Sequence, residues 1–231
     1  TRLWQEHPDW VLHQPGRRPL PSRHQYVLDC SNPAVVDYLY DRLTALLDGA
    51  PVSYIKWDMN RSISDAFSCA AGPEGQGAVL HRYILGVYRL YQRLIDRYPR
   101  ILFESCSSGG ARFDPGMLYY APQCWASDDT DAVERLKIQY GTSFVYPVSS
   151  MGAHVAAVPN HQLGRVTSLT TRANVAFFGA FGYEMDLTRL PPRGRELVAR
   201  QVAFFKQYRP LLQFGTFWRL QSPFTHNEAA W

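Results

Sequence analysis

"YIKWDMNRSISD", residues 54–65, begins as a hydrophobic strand and ends as a polar loop. Tyr54, Ile55 and Trp57 suit a core, yet Lys56, Asp58, Asn60 and Arg61 crowd into the same few positions. Side chains alternate along a strand, so Lys56 and Asp58 share one side and Asn60 continues the row. A carboxylate with an ammonium two residues away stays ionised. A positioned, ionised Asp58 is fit to attack an electrophilic carbon. The same residues also fit a structural Lys–Asp pair at a strand end, and this segment alone leaves the two readings level.

The motif of a strand ending in polar groups repeats along the chain. "QYVLD" (25–29) reads as a short strand, followed by a helix over 31–51 with Asn32 as N-cap, Pro33 in its first turn, and Gly49 and Pro51 as its stop. Strands are expected at 53–57, 101–105, 122–127, 143–148 and 175–185. Helices are expected at 79–99, from about 129–140, at about 161–174 and at 193–208. Strands alternating with helices imply βαβ units and a parallel sheet. The loops "DMNRS", "CSSGG", "SDDTD" and "SSMGAH" are polar or rich in Gly and Ser. A (β/α)8 TIM barrel carries its chemistry on such loops, at the carboxyl ends of its strands. A doubly wound sheet also binds at strand ends but needs an early phosphate-binding glycine motif. "CSSGGAR" (106–112) has neither the GxGxxG spacing nor the P-loop lysine. A barrel is therefore the expected fold.

Composition narrows the function classes. With 46% hydrophobic and 19% charged residues the chain can bury a core and is not a disordered segment. Its net charge of +4 is scattered rather than gathered into the basic stripe of a nucleic-acid binder. No apolar run is long enough for a membrane span, and no signal peptide opens the chain. Four cysteines without CxxC spacing give neither a disulfide scaffold nor a structural zinc site. The opening Thr1 and the abrupt end at Trp231 point to a piece of a longer protein.

A second acidic cluster, "CWASDDTDAVER" (124–135), places Asp128 at the end of another strand. Asp129 and Asp131 fall at a helix N-terminus, where carboxylates cap free N–H groups, and capping is the preferred role for both. Three acidic groups so close hinder one another's ionisation, and a carboxyl that keeps its proton suits a general acid. Two carboxylates from different strands facing one cleft are the equipment of glycoside hydrolysis. A calcium loop fits poorly, because "DDTDAVERLKIQ" lacks Gly at its sixth position.

"YIKWDMNR", "ESCSSGGARFDPGMLYYAPQCWASDDTDA" and "ERLKIQYGTSFVYP" resemble the catalytic region of α-galactosidases of glycoside hydrolase family 36. So do "GAHVAAVPNHQ" (152–162) and "FGYEMDLTRL" (181–190). The resemblance runs from about residue 7 to 223 in collinear motifs. It implies Asp58 as nucleophile and Asp128 as acid/base, a retaining mechanism, and α-galactoside oligosaccharides of the melibiose or raffinose type as substrates. It also implies Arg23, Lys56, Asn60, Cys106 and Gly109 as substrate-binding residues. For Cys106 and Gly109 a tight strand-to-helix turn explains the residues equally well, and for Arg23 the competing reading is a surface arginine. Trp125 fits either a pocket wall or a core, and His154 reads as a lone histidine in a loop. No metal and no cofactor are expected, nor a nucleic-acid or membrane partner, and the full-length parent is expected to be a homo-oligomer.

The resemblance also sets the expected domain plan. Residues 1–210 correspond to the C-terminal part of the catalytic barrel and 211–231 to the start of a C-terminal β-sandwich. The family's N-terminal β-sandwich and first barrel strands are absent from this stretch. A partial barrel exposes strand edges, so the piece expressed alone is expected to be inactive. The alternatives are a raffinose-synthase-like α-galactosyl transferase, an α-N-acetylgalactosaminidase and a non-enzymatic sugar-binding remnant. The last is disfavoured because a binding site needs no such pair of carboxylates.

Overall fold

The helix after Asn32 is set by its ends. The Asn32 side chain accepts from Ala34 N–H, Pro33 occupies the first turn, and Gly49 N–H closes the last turn on Leu46. In the computed structural model, which describes residues 2–231, this helix is α2 (Pro33–Asp48), preceded by α1 (Arg2–Glu6). Next come β1 (Tyr54–Asp58), α3 (Gly72–Gly75), α4 (Val79–Arg97), β2 (Leu102–Cys106), α5 (Pro115–Tyr120) and β3 (Gln123–Trp125). The chain continues through α6 (Ala132–Thr142), β4 (Met151–Ala156), α7 (Leu169–Ala176), β5 (Ala180–Glu184) and α8 (Pro192–Phe214).

The strands form one sheet in the strict chain order β1-β2-β3-β4-β5, parallel at each pairing from β2 to β5. A doubly wound sheet reverses its strand order at a switch point. The unreversed order with helical crossovers is that of a partial (β/α)8 TIM barrel. By its internal packing the chain divides into two units, one ending at Phe103 and one starting at Glu104.

In the first unit, α2 and α4 pack together over a buried core of Val35, Val36, Leu90, Tyr91 and Leu94. The Tyr91 ring meets Trp57 of β1 at 4.9 Å and Phe103 of β2 at 5.4 Å between centroids. Trp57 therefore faces α4, and strand alternation turns Tyr54, Lys56 and Asp58 to the opposite side. Gly86 lets α4 approach closely, since a Cβ there would lie 1.7 Å from the Cys30 carbonyl oxygen. Asp37–Arg93 and Asp48–Arg97 ion pairs tie the exposed helix edges at 2.6 and 2.7 Å. The Tyr98 and Arg97 hydrogen bonds hold the Asp48 carboxyl below the usual carboxylate range.

In the second unit, Ala153 and Val155 of β4 face a cluster of Ala173, Ala176, Phe177 and Phe205 from α7, the segment after it and α8. Burying a Phe of this kind contributes about 2 kcal/mol. Buried polar side chains tie the helices to strand ends. Arg135 of α6 donates to the Gly152 carbonyl at 2.5 Å, and Arg172 of α7 donates to that of Ala156. Gln139 of α6 donates to Val175 O at 2.9 Å. A buried cation is costly unless its hydrogen bonds are satisfied, and burial pulls the Arg135 guanidinium down to about 10.

Several expected elements fall elsewhere. Residues 25–29 form no sheet strand but bridge antiparallel to the 10–12 segment, with Leu12 N–H on Val27 O and Asp29 N–H on Trp10 O. Residues 143–148 are not a strand. Their N–H groups close turns on Gln139, Gly141 and Thr142 at the end of α6, and Pro147 has no N–H to offer a ladder. The strand comes next, as β4, in a stretch expected to be a polar loop. The apolar run 175–185 splits, its first residues ending α7 and the rest forming β5. The helix expected at 161–174 is confined to α7, and that expected at 193–208 extends as α8 through Pro210 to Phe214. The only pairing described after α8 is a bridge between Gln221 and Ala230.

Candidate active site

Asp58 ends β1 on the side turned away from α4, where both it and Lys56 are exposed. The Asn60 amide donates to Asp58 Oδ2 at 2.7 Å. Asn60 thus orients this carboxylate from the same chain segment. Arg23 is also exposed, at the tip of a two-residue turn closed by reciprocal Ser22–Gln25 bonds of 3.1 and 2.9 Å. Arg23 and His24 adopt φ of 51° and 60°, the left-handed region costly to residues with a Cβ. Such local strain is concentrated at functional sites.

The acidic cluster of the second unit sorts itself by burial. Asp131 is 2% exposed and caps α6, accepting from Val133 and Glu134 N–H at 3.0 and 3.1 Å while pairing with Arg165. Asp129 Oδ1 accepts from Asp131 N–H at 2.9 Å, and Asp129 N–H donates to Ser127 Oγ at 3.1 Å. Asp131 thus supplies the expected cap, whereas Asp129 bonds the N–H of the cap residue itself, one step before the helix. Asp128, between them and the end of β3, is the exposed member of the three.

Asp128 is held by its backbone. Gly109, at φ +82°, packs so closely that a Cβ would lie 2.8 Å from Ser127 Cα and 3.0 Å from Asp128 N. A Cβ at Gly110 would lie 2.7 Å from Ala126 O. The absence of these Cβ atoms therefore serves the seating of the β3 loop. On the same stretch, Arg135 donates to Ser127 O at 3.3 Å. A Gly109→Ala variant is expected to push the Ser127–Asp128 backbone out of place and to lower the melting temperature. A thermal melt checks it.

Cys106 ends β2 and is 4% exposed, so this expected sugar contact is packed rather than open. Trp125 is likewise buried, but on the face that β4 turns away from its helices. Its ring packs against His154, tilted by 39°, with centroids 4.7 Å apart. His154 is not a loop residue; it sits in β4 and lies 3.8 Å from Glu184 Oε2 at the end of β5. The sequence left Trp125 open between pocket wall and core and put His154 in a loop. The signal was the small–large alternation of "GAHVA", obscured by the more hydrophobic run just before it. Among the described residues, no group of three or more His, Cys, Asp and Glu side chains could hold a metal, and no helix is long and apolar enough to cross a membrane.

Unreversed βαβ order, with carboxylates exposed at or just after the carboxyl ends of β1 and β3, is the arrangement of barrel proteins, a class that carries its chemistry on strand-end loops. Comparison with known proteins narrows this class. The Melibiase pattern matches residues 1–215, and the chain belongs to that family. It is 57% identical over all 231 residues to α-galactosidase AgaA of Geobacillus stearothermophilus and 56% identical to α-galactosidase 1 of Pediococcus pentosaceus. It spans about a third of these relatives, 32% of each. The crystal structure of the G. stearothermophilus enzyme, a glycoside hydrolase family 36 protein, matches the whole chain with a TM-score of 0.97, covering 32% of that structure. The galactosidase domain of the α-galactosidase–sucrose kinase AgaSK matches at 48% identity and a TM-score of 0.91, over 98% of this chain and 30% of that one.

Proposed function

We propose that the full-length protein carrying this chain is a retaining exo-α-galactosidase acting on terminal α-galactose of raffinose- and melibiose-type oligosaccharides. The observation that carries the reading is the sorting of the carboxylates. Asp129 and Asp131 are engaged by backbone, while Asp128 is exposed and Asp58 is exposed and oriented by Asn60. Asp128 protonates the departing glycosidic oxygen as Asp58 attacks the anomeric carbon, and the C–O bond to the aglycone breaks as the galactosyl ester forms. Asp128 then takes a proton from water, which attacks the anomeric carbon of the ester, breaks its bond to the Asp58 oxygen and frees Asp58. This chemistry needs the two carboxyl groups about 5–5.5 Å apart. Lys56 and Arg23 supply donors for sugar hydroxyls.

The relatives support the assignment. The G. stearothermophilus enzyme has been crystallised with 1-deoxygalactonojirimycin, raffinose and stachyose. The aspartates replaced in its raffinose and stachyose complexes lie as far apart in that chain as Asp58 and Asp128 do here. Because the chain spans 32% of that enzyme, we assign the remaining barrel strands to the rest of the protein. We place the start of a C-terminal β-domain after α8, at Gly215 rather than at 211, since α8 runs to Phe214.

The test follows the anomer released. Proton NMR of the full-length protein with an aryl α-galactoside is expected to show α-galactose first, with β-galactose growing only by mutarotation. Release of β-galactose first, or no release at all, would sink the retaining galactosidase reading.

A further inference from the structure

Three adjacent strands of the second unit carry a ladder of rings seated on glycines. The Trp125 ring of β3 lies over Gly152 of β4, where a Cβ would come within 2.6 Å of it. The His154 ring of β4 lies over its register partner Gly182 of β5, where a Cβ would come within 3.0 Å. The Trp125 and His154 rings pack against each other, tilted by 39° with centroids 4.7 Å apart, so both are held before any ligand arrives. All of this lies on the face opposite the helices, because Ala153 and Val155 of the same strand are in the α7–α8 core.

His154 is the one residue of β4 that is not buried. Its side chain is 26% exposed, and that of Glu184 is 54% exposed. Glu184 ends β5 and His154 lies two residues before the end of β4, on the carboxyl half of strands at whose ends barrel proteins bind and react. His154 Nδ1 and Glu184 Oε2 are 3.8 Å apart, too far for a direct hydrogen bond and close enough for one oxygen to contact both. A carboxylate facing Nδ1 favours the tautomer protonated there. The gap thus offers a donor on one side and an anionic acceptor on the other. A hydroxyl group, which both accepts and donates, fits it.

We propose that His154 and Glu184 bind the substrate, with one hydroxyl of the galactosyl unit seated between them, receiving from Nδ1–H and donating to Oε2. This assignment rests on the galactosidase reading and adds a specificity determinant contributed by β4 and β5. Arg135, buried behind Trp125 with its guanidinium 5.2 Å from that ring, lies in the field of Glu184 and keeps the ladder in register through Gly152 O.

Two variants of the full-length protein test it. His154→Phe keeps a ring over Gly182 and against Trp125 but removes the N–H. Glu184→Gln keeps the side-chain shape but removes the anionic acceptor. Each is expected to raise KM for an α-galactoside about tenfold, the loss of one hydrogen bond to a charged or oriented partner, while the melting temperature is kept. Across a set of monodeoxy α-galactosides, one analogue should give equal kcat/KM for wild type and both variants, which identifies the hydroxyl bound. If His154→Phe fails to fold, Glu184→Gln carries the test alone. An unchanged KM, as when only water bridges the gap, overturns the proposal, and so does a loss equal for every analogue. A wild-type protein that cleaves and binds no α-galactoside overturns the galactosidase reading as well, whereas normal wild-type turnover with unaltered variants overturns this contact alone.

Discussion

Asp58→Asn in the full-length protein is expected to abolish α-galactoside turnover, by about 10⁴-fold or more, the scale on which removing a nucleophile acts. Asparagine keeps the shape and can still accept from Asn60, so the fold and the bound sugar have no reason to change. It cannot form the galactosyl ester, however. Asp128→Asn should behave differently. Aryl galactosides with good leaving groups need little protonation, so the first step survives and the ester accumulates. Azide, which needs no general base, should then restore rate and yield α-galactosyl azide. In Asp58→Asn, azide can only enter from the vacated face and would give the β-azide. Product NMR separates the two roles. Normal turnover in both variants would show that these carboxylates are not the catalytic pair.

Gly86→Ala carries the largest expected effect on stability. In an ordinary helix interior this change stabilises by up to about 1 kcal/mol through propensity. Here the new methyl would lie 1.7 Å from the Cys30 carbonyl oxygen and 2.8 Å from its carbon. Neither is the end of a flexible side chain, so α4 must move away from the backbone it packs on. Overpacking of a backbone contact outweighs the propensity gain, and a net loss of about 2 kcal/mol or more is expected. That lowers the melting temperature by several degrees. Gly141→Ala in α6 is the control, since nothing lies within 4 Å of its Cβ position, and it should be neutral or stabilising. Equal melting temperatures for the two variants would refute the packing argument.

How far each feature could be read from sequence depends on the range of the forces behind it. The caps and stops of α2 are local. Asn32, Pro33 and Gly49 act on neighbours a few residues away, and all three work as their residue types require. The acidic run was only half legible. Capping geometry assigns Asp131 to α6 because that preference is local, but nothing in "SDDTD" says which carboxylate stays exposed. That is decided by Arg165, Gln162 and Asn160, which reach the turn from a distant loop. The misplaced strand at 143–148 has the same origin. "SFVYPV" is the more hydrophobic run, yet the turns ending α6 claim its N–H groups, and Phe144 and Val145 remain exposed. Hydrophobicity predicts burial only where a neighbouring element arrives to cover it.

By itself, then, the sequence determined the alternation of strands and helices, the shared face of Lys56 and Asp58, and the family. These depend on periodicity and on motifs read along the chain. Tertiary structure alone decided that the small-residue stretch Met151–Ala156 is the fourth strand and that Trp125 and His154 rest on glycines two strands deep. It also decided that Gly109 seats Asp128 through backbone contact. The physical reason is that a missing Cβ has no signature in sequence until a partner from another strand fills the space.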